Sequence, residues 1–165
     1  MEKLMKNIKL KAFMIAMSAL FLLPLHGMAQ LKEQHNKQPE NFQEVSDRLD
    51  FLYGSHIPYQ KFLKDFQIYI HNDERQKVAA MIHYPIKINV YNQRITFTTA
   101  QQLLLKYDDI FDPMLKQSIR QQSYGNLFAN SKGIMIGENG ELWFSGLCLD
   151  KNCKKINVKI IAINK

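Results

Sequence analysis

Cys148 and Cys153 carry the clearest chemistry in this chain, and they are its only cysteines. An even count in an oxidising compartment reads as a disulfide. The segment Glu141 to Cys148 has the character of a strand. Lys154 to Ala162 reads as a second strand, with Ile156, Val158, Ile160 and Ala162 alternating against Lys155, Asn157 and Lys159. Between the cysteines lies Leu149-Asp150-Lys151-Asn152, rich in turn formers. A hairpin of this kind sets the two cysteines opposite each other on the ladder, within bridging reach. The closed ring is short, so the bridge stabilises by only about 2 kcal/mol. The C-x4-C spacing differs from the C-x-x-C of thiol oxidoreductases, and the bridge is read as structural.

Acid–base chemistry has fewer footholds. His83 and Tyr84 precede Pro85 at an expected helix end. A histidine in a helix's last turn is favoured by the helix dipole. That reading outweighs a general base, for which no partner acid is identifiable. The alternative catalytic set is His83 working with Tyr107 or Asp108. Asp108, Asp109 and Asp112 form the densest acid cluster. Their spacing matches no EF-hand loop, and Asp112 reads as a cap before Pro113, so no metal is assigned. Glu138 and Glu141 flank a turn and read as solvated rather than as a glycosidase pair. The chain holds no G-x-S-x-G and no H-E-x-x-H, and Gly133, Gly137 and Gly140 fall in turns. No cofactor is implied. Trp143 and Phe144 point to opposite faces of one strand. One belongs to a core; the other is free for a ligand groove or a partner. With Tyr84 they are the binding candidates.

The elements that must position these residues follow in order. Phe42, Val45, Leu49 and Leu52 predict a helix from Glu40 to Tyr53, ended by Gly54. Pro58 opens a second helix with Phe62, Leu63, Phe66 and Tyr69 or Ile70 inward. Asp73 is expected to cap a third, Glu74 to His83, burying Val78, Met81 and Ile82. Ile86 to Val90 alternates as a strand, and Ile95 to Thr98 reads as a short edge strand. Thr99 caps a predicted helix from Ala100 to Phe111, and Asp112-Pro113 starts another running to about Arg120. Three or four strands close the chain. Helices first and an antiparallel sheet last define an α+β domain with helices on one face of a curved sheet.

Residues 1–29 read as an export signal. Four lysines precede an apolar run, AFMIAMSALFLLPL, which ends in His26-Gly27-Met28-Ala29. The run is shorter than the roughly 20 residues a membrane span needs. The leader holds four lysines and one glutamate, so its removal takes the net charge from +7 to +4. That is mildly basic and unclustered, which excludes a typical nucleic-acid binder and argues against a strongly basic target. Residues 30–39 form a polar lead and residues 40–165 a single domain. The expected setting is periplasmic or secreted, with no transmembrane anchor after cleavage.

The stretch NLFANSKGIMIGENGELWFSG, preceded by IHYPI and AQQLLLKYDDIFDP, resembles a set of small exported bacterial proteins of unassigned function. The helix-then-sheet order is similar to NTF2-like or cystatin-like domains, whose curved sheet wraps helices into a cone. That resemblance implies a fold and carries no catalytic residue with it. The expectation is a non-enzymatic binding protein of the cell envelope. Its partner is an envelope protein, in an inhibitor or immunity role, or a small ligand held between sheet and helices. The alternative is an NTF2-like isomerase, dehydratase or hydrolase. The oligomeric state is left open.

Overall fold

The computed structural model describes residues 41–164, and they fall within one compact unit. The export-signal and polar-lead readings lie outside the described residues. Among the described residues no helix is long and apolar enough to cross a membrane.

Helices come first and antiparallel sheets follow, in a mixed α+β arrangement. Helix α1 spans Phe42–Tyr53. Asn41 caps it by accepting a bond from the Glu44 amide, and Gly54 ends it in the left-handed region at φ 82°. Helix α2, Ile57–His71, has Pro58 in its first turn, where a missing N–H costs nothing. It buries Phe62, Leu63, Phe66 and Ile70 as the spacing requires.

Helix α3 is shorter than expected. It spans Arg75–Ala80, and Asp73 makes no side-chain cap; its carboxylate accepts from the Arg75 guanidinium instead. The chain leaves the helix early because it has a strand to meet. Ile82 forms a parallel bridge with Ile160, flanked by hydrogen bonds from the His83 amide to Ile160 O (2.8 Å) and from the Ile160 amide to Met81 O (2.9 Å). His83 is therefore past the helix, not in its last turn.

Strands β1, Ile86–Val90, and β2, Gln93–Phe97, form a separate two-stranded hairpin. Its two-residue turn, Tyr91-Asn92, has both residues at positive φ, which matches the twist of the flanking strands. The predicted helix over residues 100–111 is two short ones, α4 (Ala100–Leu104) and α5 (Tyr107–Ile110). Helix α4 packs on α3 and β2, while α5 packs on β1, so the break lets each meet its own neighbour. Helix α6, Pro113–Gln121, starts as read: Asp112 accepts from the Leu115 amide at 2.9 Å. A 3-10 turn, Tyr124–Asn126, precedes the last sheet.

That sheet is a meander of β3 (Phe128–Asn130), β4 (Gly133–Ile136), β5 (Leu142–Cys148) and β6 (Ile156–Ile163), in that spatial order. The expected single sheet is thus two. The simple alternation expected along β6 also fails. Trp143 pairs with Ala162 but Phe144 pairs with Ile160, leaving Ile161 as an extra residue. This bulge changes the parity, so that Ile160 and Ile163 both face inward.

Helices cover one face of the meander. Phe62 of α2 stacks on Phe144 of β5 with ring centroids 4.9 Å apart. Phe66 meets Phe111 edge-on, and Tyr107 stacks on Phe111 at 4.8 Å. Phe144 and Phe66 have no exposed surface. These rings belong to one buried hydrophobic cluster.

Candidate functional site

The disulfide forms between Cys148 and Cys153, with Cα atoms 4.7 Å apart. Its geometry differs from the expected cross-ladder pair. Cys148 lies opposite Ile156, and Cys153 sits in the connecting turn at φ 53°. Asp150 organises that turn. Its carboxylate accepts from the backbone amides of Asn152, Lys154 and Lys155. Those bonds hold its pKa below the usual carboxylate range. The bridge ties the end of β5 to this loop.

The candidate catalytic residues have separate environments. His83 is exposed, and no hydrogen bond or ion pair joins it to Tyr107 or Asp108. Tyr107 belongs to the core, 1 % exposed, and its hydroxyl has no hydrogen-bond partner among the described residues. Burial, with the Asp73 charge adding to it, pushes the phenol up to about 12. The Arg75 guanidinium and the Lys116 ammonium lie over its ring at 4.9 and 5.2 Å from the centroid. Both cations also pair with Asp73 and Asp108, forming a four-charge cover above Tyr107. Asp109 accepts from the Tyr91 hydroxyl and pairs with Lys106, and Asp112 caps α6. Every acid of that cluster is engaged by the protein itself. The clefts along α2, the one between α1 and the 3-10 turn, and the one between α2, α3 and β6 are lined by none of His83, Tyr107 and Asp108.

Tyr84 is half-buried, donates from its hydroxyl to Ala79 O at 3.0 Å, and is pushed by burial up to about 12. It braces α3 against the segment leading into β1.

Trp143 and Phe144 divide as strand geometry demands. Phe144 is core; Trp143 is on the opposite face and only half-buried. The register shows what accompanies it. Phe128 pairs with Met135, Met135 with Trp143, and Trp143 with Ala162. One residue from each of the four strands therefore lies in a single apolar row. Phe128 is 46 % exposed and meets the indole edge-on with centroids 6.2 Å apart. Gly140 clears one edge of the indole: a Cβ there would sit 3.1 Å from Trp143 Nε1.

Phe128, Met135 and Ala162 escaped the sequence reading. The signal for two of them was present. A two-residue turn at Ser131-Lys132 fixes Phe128 opposite Met135 by counting outward from the turn. Ala162 was hidden by the bulge at Ile161.

Comparison with known protein families, with curated proteins and with solved structures finds no match.

Proposed function

We propose that this chain is an exported, non-enzymatic binding protein of the cell envelope, periplasmic or secreted. On this reading it docks a partner protein, in an inhibitor or immunity role, through the outer face of the β3–β6 sheet. The observation that carries the reading is the row Phe128–Met135–Trp143–Ala162, which crosses all four strands on the face away from the helices. Large aromatic side chains that are half-exposed and flanked by apolar neighbours are the usual anchors of protein–protein interfaces. A small ligand between sheet and helices has less support, because the Phe62–Phe144 stack and its neighbours occupy that space.

The disulfide supports the extracytoplasmic setting, since such bridges persist in oxidising compartments. The order of helices followed by an antiparallel meander supports an NTF2-like or cystatin-like relation, which belongs to the same proposal. Affinity capture from an envelope extract, run in parallel with the wild type and with Phe128→Ser/Trp143→Ser, tests the function. A protein retained by the first and lost from the second is the expected result. Turnover of a small substrate by a chain that captures nothing would sink the proposal.

A further inference from the structure

A second surface lies on the helix layer, on the other side of the molecule from the Trp143 row. Two adjoining recesses of about 460 and 380 Å³ run along α2 and share Lys64 and Gln67. Helix α2 supplies one wall through Ile57, Lys64, Ile68 and His71, and Arg120 of α6 stands across from them. The floor is fixed. Gln67 donates to Ile119 O and Gln122 O at 2.9 and 2.8 Å, clamping the end of α6 to α2.

Two properties of this groove point to a ligand. First, two of the three Lys and Arg side chains that line it are unspent. Lys64 and Arg120 have no hydrogen-bond or ion-pair partner among the described residues, and no acidic side chain lines either recess. Lys61, which also lines the first recess, pairs with Asp65 on its own helix. Second, the cations alternate with exposed apolar side chains. Ile57 is 65 % and Ile68 43 % exposed, and Lys64 lies between them on the same helix face. The two isoleucines are about 17 Å apart along the axis, at 1.5 Å per residue.

We infer that this groove binds an acidic amphipathic helix of a partner protein. A helix returns to the same face after eleven residues, so apolar anchors at that spacing reach Ile57 and Ile68 together. Carboxylates between the anchors meet Lys64 and Arg120, and His71 stands at the groove's far end. A lipid surface fits less well, because the cations line a recess rather than crown a convex face. The inference is independent of the sheet-face reading, since it uses no residue of that row.

The test uses the purified protein and a labelled synthetic helix. The helix carries leucines at the spacing of Ile57 and Ile68, with glutamates on the same face between them. A lysine-for-glutamate counterpart is the control, and binding is followed by fluorescence anisotropy. The acidic helix is expected to bind and its basic counterpart not. Lys64→Glu/Arg120→Glu is expected to weaken binding by about tenfold or more, as reversal of two facing charges should. Both positions are exposed, so circular dichroism of the variant is expected to match the wild type. Trp143→Ser is expected to leave the affinity unchanged, which separates this site from the sheet face. Equal binding of the two helices, or an unchanged affinity in the charge-reversed variant, would overturn the inference. So would sedimentation with mixed phosphatidylcholine–phosphatidylglycerol vesicles that the charge reversal abolishes while the acidic helix fails to bind.

Discussion

The rings of Phe128 and Trp143 meet edge-on across an intervening strand, with centroids 6.2 Å apart. Edge-to-face pairs of this kind are worth about 1 kcal/mol beyond their buried area. Phe128→Ala should therefore cost that much or more, since it also loses buried area, and leave the fold intact. Trp143 is the only tryptophan, so its fluorescence reports this face alone. Acrylamide should quench it more strongly in the variant than in the wild type. Unchanged quenching would show that Phe128 does not shield the indole.

Gly146 lies under the hydroxyl of Tyr59. A Cβ at this position would stand 2.4 Å from that oxygen, and Tyr59 is buried and cannot swing away. Gly146→Ala should destabilise by about 1–3 kcal/mol, the usual cost of overpacking. Adding Tyr59→Phe removes the oxygen and leaves the ring carbon at 3.3 Å as the nearest Tyr59 atom. Denaturant midpoints of both single variants and the double variant check this. The double variant should be more stable than Gly146→Ala alone.

Tyr107 buries a hydroxyl that finds no partner among the described residues. A buried, unpaired polar group costs about 1–3 kcal/mol, so Tyr107→Phe should stabilise the protein by an amount of that order. The same tyrosine shapes the alkaline limit. The phenols of Tyr59, Tyr84 and Tyr107 are each pushed up to about 12, chiefly by burial. In the unfolded chain they titrate near 10. A raised native pKa means stability is whole below about pH 10 and is lost as pH rises towards 12, because the unfolded state sheds protons first. Tyr107→Phe should make that decline shallower, and urea titrations at several alkaline pH values measure it.

Reducing the Cys148–Cys153 bridge should lower stability by about 2 kcal/mol without unfolding the domain, since the ring it closes is short. Asp150 would still hold the turn through its three backbone amides. Its depressed pKa gives the turn a second dependence. That contribution is present above the normal carboxylate range and is lost as pH falls through the lower native value. The urea midpoint with and without reductant, at neutral pH, checks the first statement. A reduced protein without a cooperative transition would contradict it.

Much of this architecture is written in local chemistry. Thr99 and Asp112 sit where side chains cap helices, Pro58 and Pro113 where helices start, and Gly54 where one ends. The cysteine pair and the alternating runs of β1 and β5 are equally local. What escaped depends on partners far along the chain. Helix α3 stops short because Ile82 bridges Ile160, and the break at Leu105 and Lys106 follows from packing on two different neighbours. The bulge at Ile161 was invisible in an apparently regular alternation, and it decides which residue stands beside Trp143. For the candidate site, the sequence supplied Trp143 and left its side undecided. Only the register assembled the row around it.

Photo-crosslinking in living cells tests partner docking at the sheet face most directly. A photoreactive phenylalanine replaces Met135, between Phe128 and Trp143 in the row. A discrete adduct containing one other envelope protein is expected, lost when Trp143→Ser is added and retained with Lys64→Glu. An exported, folded protein that yields no adduct from this position, or an adduct indifferent to Trp143→Ser, would contradict it.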